Sequence, residues 1–195
     1  ASNNTAVGDG AMAANTTGTQ NAALGALSLD ANTTASYNTA VGYSSLSANT
    51  TGAENTAVGT SALAANTTGD DNTAVGYRSL ITLTTASSNT AVGKDALRLT
   101  TTGASNTAVG LGALDANTTA DNNTAVGYFA LVANTTGTNN VAIGANALDA
   151  VTTANNNIAV GLDALSGAAG NQNVAIGTDG QKVSTAANNT SVGYL

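Results

Sequence analysis

The sequence predicts an all-β fold, a parallel β-solenoid of about twelve coils, and three observations predict it. A Gly closes a recurring Asn-Thr-Ala-Val-Gly phrase at positions 8, 25, 42, 59, 76, 93, 110, 127, 144, 161, 177 and 193, in nine steps of seventeen residues followed by two of sixteen. A period that short, carried through the whole chain, belongs to a stack of one small unit. Two apolar columns recur in register, one of Val, Leu or Ile before that Gly and one of Leu or Met four residues after it. Finally, aromatic residues make up 3% and charged residues 8%, too few large side chains for a wide interior, so the core must be thin. Disordered chains lack such registered apolar positions and are rich in Pro, which is absent here. Stacked helices need two helices per repeat, roughly twice this period, and do not tolerate a Gly in every unit.

Each coil is read in order as two short strands joined by two turns. The first strand is Asn-Thr-Ala-Val. Alternation puts Val and the preceding Thr on one face and Asn and Ala on the other. The Val column (Val7, Leu24, Val41, Val58 and onward) and the Leu column (Met12, Leu29, Leu46, Leu63 and onward) are taken as the core. The Ala column never enlarges, which suits a face pressed against another chain. Ala40, Ala57, Ala74, Ala91, Ala108 and Ala125 are the expected chain–chain contacts. The Gly after Val suits a tight turn with positive φ. A second strand or extended segment is expected from the Leu through the Thr-Thr pair, which persists in nine consecutive units from Thr16-Thr17 to Thr152-Thr153.

Stacking sets like on like at about 4.8 Å, so aligned Asn residues can form an amide ladder. The expected ladder is Asn4, Asn21, Asn38, Asn55, Asn72, Asn89, Asn106, Asn123, Asn140, Asn157, Asn173 and Asn189. Residues 1–164 read as regular seventeen-residue coils. Residues 165–195 read as atypical shorter coils, a cap or junction within the same continuous domain, because Ala169-Gly170 replaces the Thr pair and Gln181 replaces Leu. The chain opens inside a repeat phrase and so reads as a piece of something longer, and missing targeting signals carry little information.

Coils carrying Ala-Val-Gly or Ala-Ile-Gly, as in Asn140-Val141-Ala142-Ile143-Gly144 and Asn173-Val174-Ala175-Ile176-Gly177, resemble the head repeats of trimeric autotransporter adhesins. The longer Asn-Thr-Ala-Val-Gly-Tyr phrase is similar to repeats in bacteriophage tail fibres and other fibrous surface proteins. The resemblance covers the full chain, although the unit here is seventeen residues where autotransporter heads use fewer. It implies a left-handed parallel β-roll, three chains side by side, an extracellular, cell-surface or virion-fibre location, and a role as an adhesive or spacer shaft. A self-assembling extracellular filament, built by end-to-end stacking, is the alternative.

Composition narrows the chemistry. His and Cys are absent, which removes the usual general base, thiolate chemistry and the commonest transition-metal ligands. Lys occurs only at Lys94 and Lys182, and no nucleophile–base pair or paired-carboxylate site stands out, so no catalytic activity is expected. Four Lys plus Arg against a net charge of −7 leave no basic stripe for nucleic acid. No apolar run is long enough for membrane insertion by this segment. No cofactor is expected. Calcium is the one metal whose oxygen ligands abound, but the Asp residues (Asp30, Asp70, Asp115, Asp149, Asp163) are sporadic. The expected partner is the chain itself, as homotrimer or filament, with a host-surface glycan or protein as a further partner.

Tyr43, Tyr77 and Tyr128 follow the column Gly at a variable, outward position and are candidate surface-binding residues. The Asn-Thr-Thr phrases at Asn15, Asn32, Asn49, Asn66, Asn117 and Asn134 are formal glycosylation acceptors, with the ladder as the competing reading. Regular Thr on a flat solenoid face also suggests ice binding. Adjacent Thr residues of an extended pair point to opposite faces, however, leaving only one exposed column.

Overall fold

The computed structural model describes residues 1–167, 169–181 and 186–194. Twelve three-residue strands, β1 (Thr5–Val7), β2 (Ala22–Leu24), β3 (Thr39–Val41), β4 (Thr56–Val58), β5 (Thr73–Val75), β6 (Thr90–Val92), β7 (Thr107–Val109), β8 (Thr124–Val126), β9 (Val141–Ile143), β10 (Ile158–Val160), β11 (Val174–Ile176) and β12 (Thr190–Val192), form one parallel sheet in chain order. Each strand pairs residue for residue with the next, as Thr56 with Thr73, Ala57 with Ala74 and Val58 with Val75. The two sixteen-residue steps keep that register, pairing Ile158 with Val174 and Val174 with Thr190. No helix occurs among the described residues. The protein is an all-β parallel solenoid of about eleven turns, and its sheet is about 53 Å long at the ordinary strand spacing. Residues 168, 182–185 and 195, within the atypical terminal units, lie outside the described residues.

Two expectations are corrected. Among the described residues each coil has one strand, not two. The stretch from Leu through Thr-Thr does bond to the next coil, but not as a ladder. Thr50 and Thr51 both donate their N–H to the single carbonyl of Thr67 (2.9 and 3.2 Å). The Leu before them, Leu46, is in the left-handed region at φ 51°, as are Leu63 at φ 53° and Leu80 at φ 50° before the next pairs, which breaks extension at that point.

The second correction concerns phase. Period two holds, but from β2 to β11 it is the middle residue of the strand that is buried. Ala40, Ala57, Ala74, Ala91, Ala108 and Ala125 are fully buried inside their own coil and are not available to another chain. The Val column faces out, with Val7, Val92, Val109, Val126, Ile143 and Ile176 exposed. The flanking Thr column is partly exposed in β3 to β8. The coil interior is narrow, and one column of large side chains runs through it. Leu29, Leu46, Leu63, Leu80, Leu97, Leu114, Leu131, Leu148 and Leu165 form that column, so the residues opposite must be small.

The strict Gly is required twice over. Gly59 lies at φ 133°, where side chains are strained, and a Cβ there would sit 2.6 Å from the carbonyl oxygen of Gly76 in the next coil.

Candidate functional site

The interior is organised by side-chain amides. Asn55 Oδ1 accepts the backbone N–H of Asn72 (2.9 Å), and Asn55 Nδ2 donates to the carbonyl of Gly69 (2.8 Å). Asn38 does the same one coil earlier, accepting from Asn55 N–H (2.9 Å) and donating to Gly52 O (2.9 Å). The chain of acceptors runs from Asn4, which takes Asn21 N–H, to Asn173, which takes Asn189 N–H. From Asn38 to Asn173 these side chains are buried, and each offers an acceptor to a backbone N–H that the turn would otherwise leave without a partner.

A second amide ladder passes through the Asn-Thr-Thr phrase, with Asn66 Nδ2 donating to Asn49 Oδ1 (3.0 Å) and Asn134 Nδ2 to Asn117 Oδ1 (3.2 Å). Asn32, Asn49, Asn66, Asn117 and Asn134 are fully buried and inaccessible to glycosylation in the folded chain. Leu83 and Val151 interrupt this ladder. Asn134 Oδ1, below Val151, is buried with no hydrogen-bond partner. From Thr16 to Thr135 the first Thr of each pair donates its hydroxyl to the next coil, as Thr50 Oγ1 to Thr67 O (3.0 Å), while the second Thr is exposed.

With Asn, Ala and Leu inside, the surface left by the sheet is the Thr–Val face. Its two columns carry no charge in any of the twelve strands, and the aliphatic column is unbroken from Val7 to Val192. Beside it lies the position after the Gly. Parallel bonding continues through the turn, with Gly59 N–H donating to Val41 O (2.7 Å) and Ser61 N–H to Tyr43 O (2.9 Å), so this column, like the Val column, stacks coil on coil. Tyr43, Tyr77 and Tyr128 stand exposed on it, at 55%, 46% and 53%, and Tyr194 joins them after β12. They are brought into one column but at separate heights, and no cavity unites them among the described residues.

Sequence reasoning missed the Thr–Val face as an outer surface. The signal was present: the Val column interchanges Val, Leu and Ile, and the Thr column admits Val141, Ile158 and Val174, whereas Ala and Asn hardly vary. Strictness marks the packed positions and tolerance the free ones.

Bulky residues elsewhere on the turn explain two further glycines. Phe129 lies across Gly112, and a Cβ on Gly10 would come within 3.0 Å of Leu27 Cδ2 in the coil above. The described cations sit together in the fifth and sixth coils. Arg78 bonds Asp95 (2.9 Å), Arg98 bonds Asp115 (2.7 Å) and Lys94 approaches Asp95 (3.6 Å). The hydrogen bond to Asp95 raises the Arg78 guanidinium pKa and that to Asp115 raises Arg98. Arg78 also lies 4.9 Å from the Tyr77 ring centre. Lys182 lies outside the described residues. Among the described residues no group of three or more acidic side chains converges on a metal-sized site, and no helix is long and apolar enough to cross a membrane.

No family model, curated protein or solved structure matches the chain.

Proposed function

We propose that the protein is a rigid structural segment of a fibre, assembled from copies of itself through the Thr–Val face and serving reach and multivalent attachment. One observation carries this reading: a charge-free, aliphatic sheet face open along all twelve coils. Contiguous apolar patches of a few hundred Å² or more on a soluble surface mark contact sites. A strip from the Thr to the Val column alone is about 350 Å², from a width of two residues and a length of about 53 Å. A second copy of the same face is the simplest cover, since it brings no charge against it. The earlier expectation of self-association therefore moves from the Ala column to the Val column. Attachment to a glycan or protein is assigned to the variable turn residues outside that strip.

Sedimentation at micromolar concentration tests the reading. The wild type is expected as a discrete oligomer, and a variant with both Val75→Lys and Val109→Lys as a folded monomer with unchanged far-UV circular dichroism. A wild type that stays monomeric at all concentrations refutes it.

A second reading, ice binding, is favoured by one specific observation. Thr and Val, both bearing a γ-methyl, stand in register on a regular face, two columns wide instead of the single column expected from the Thr-Thr pairs. Thermal hysteresis separates the readings. A monomer with clear activity, lost in Val109→Lys, supports ice binding and displaces the fibre.

A further inference from the structure

We infer that the ledge formed by Tyr77, Arg78 and Lys94 is a binding site for a uronate-type glycan, a polymer whose sugar rings each carry a carboxylate. The inference rests on the reading above only for the attachment role given to the turn residues, and it needs no contact between copies.

Among the tyrosines after the column Gly, Tyr77 is set apart by its neighbours. Tyr43 is followed by Ser44 and stacks below Thr60, and Tyr128 is followed by Phe129 and stacks below Ala145. Tyr77 is followed by Arg78, whose guanidinium carbon lies 4.9 Å from the ring centre, and it stacks below Lys94. Asp95 ties the two cations together, taking Arg78 Nε at 2.9 Å and facing Lys94 Nζ at 3.6 Å. Two cations around one carboxylate leave a positive charge unmatched, on a chain whose net charge is −7. Arg78 reaches Asp95 through Nε, whereas Arg98 grips Asp115 through both Nε and Nη2. Arg78 therefore keeps its Nη groups for a further acceptor. Tyr77 is 46% exposed and the Lys94 side chain 57%, so both can be reached.

The chemistry of these groups selects the ligand. A guanidinium fork and an ammonium match a carboxylate. The exposed ring beside them takes an apolar face. A uronate sugar offers both on one ring, a carboxylate and a face of C–H groups. A neutral sugar leaves the cations unused, a nucleic acid finds too few of them for its phosphates, and an acidic peptide offers the ring no comparable face.

The column extends the site along the rod. Asp95 N–H donates to Tyr77 O, Gly112 N–H to Lys94 O and Phe129 N–H to Leu111 O, each at 3.0 Å, so Tyr77, Lys94, Leu111 and Tyr128 stand in successive coils. They span about 14 Å, and all four are exposed. A polymer lying parallel to the rod passes from the first ring over Lys94 and Leu111 to the second.

Fluorescence anisotropy with labelled polygalacturonate tests the site, with dextran as the neutral polymer and poly-L-glutamate as the carboxylate chain without sugar rings. Polygalacturonate should bind at low salt and dextran should not, and poly-L-glutamate should bind at least about tenfold more weakly. Tyr77→Ala and Arg78→Gln should each weaken polygalacturonate binding at least about tenfold. Tyr43→Ala, in the same column without a cation beside it, should change it less than about twofold, and Arg98→Gln, which removes the same charge one coil away, less than about threefold. Circular dichroism checks that the coil is intact in each variant. Equal binding of poly-L-glutamate overturns the sugar assignment in favour of an acidic peptide, and equal binding of dextran overturns the role of the cations. A wild type that does not bind polygalacturonate, or equal losses in Tyr43→Ala and Tyr77→Ala, overturns the site. Sedimentation of the same samples reads self-association separately, so an intact oligomer that binds no polygalacturonate removes this inference and leaves the fibre standing.

Discussion

Two asparagines of neighbouring phrases, Asn55 and Asn66, make a matched test of what the ladders contribute. Both are fully buried, and both donate to the carbonyl of Gly69, at 2.8 and 3.0 Å. Their oxygens differ. Asn55 Oδ1 holds the buried N–H of Asn72 in the next coil, whereas Asn66 Oδ1 turns back to Gly69 N–H within its own coil (3.1 Å). Replacing Asn55 by Leu strands the Asn72 N–H, which costs about 1–3 kcal/mol. It also removes the bond to Gly69, worth about 1 kcal/mol net, for a loss of about 2–4 kcal/mol. Gly69 O would keep Asn66, which limits the damage there. Asn66→Leu strands the Gly69 N–H in turn, but it recreates the side chain that the chain already carries at Leu83, where apolar burial offsets part of the loss, leaving about 1–2 kcal/mol. Urea unfolding followed by circular dichroism measures the pair, with hydrogen exchange at Asn72 as the local readout. Exchange at that amide should accelerate in Asn55→Leu and not in Asn66→Leu. Equal destabilisation by the two, or a protected Asn72 amide in Asn55→Leu, would refute the assignment of the ladder.

Three further outcomes are expected. Leu63→Ile should destabilise by about 2 kcal/mol or more in thermal unfolding while Leu63→Met stays under about 1.5, because φ 53° penalises a β-branched side chain and spares an unbranched one. Val151→Asn should lie within about 1 kcal/mol of the wild type by urea denaturation, since a partner for the orphaned Asn134 Oδ1 offsets the lost apolar burial; a loss of several kcal/mol would show that the second ladder cannot be mended there. Ala57→Phe should abolish the folded circular dichroism spectrum, whereas Val58→Phe on the outer face should not; a well-folded Ala57→Phe with altered oligomeric state would return the Ala column to the surface.

The period made the solenoid legible, because a seventeen-residue step leaves no room for another kind of repeat. The same regularity located the Asn ladder to the residue. Phase was not legible from alternation. Three residues alternate equally well with the middle one in or out, and hydrophobicity favours Val inside. What decides is volume: with Leu63 filling the coil, Ala57 fits opposite and Val58 does not. The second strand was misread for a different reason. Leu followed by Thr-Thr has strand composition, but the left-handed φ at Leu is a property of the closed coil and leaves no mark on residue type beyond the lack of Val and Ile in that column. The outer face was hidden by the same inversion of phase.

The one-to-one pairing of each strand with the strand seventeen or sixteen residues later has a kinetic meaning. Most β proteins join distant parts of the chain and fold slowly for that reason. Here the typical separation between contacting residues is about a tenth of the chain length, a value found among helical bundles that fold in microseconds to milliseconds. No coil waits for a partner from the far end. Each finished turn offers the next a row of side-chain acceptors, Asn55 Oδ1 to Asn72 and then Asn72 Oδ1 to Asn89, in the direction in which the chain is synthesised. The rod can therefore be laid down turn upon turn as it emerges from the ribosome, the growing end offering the edge on which the next turn pairs.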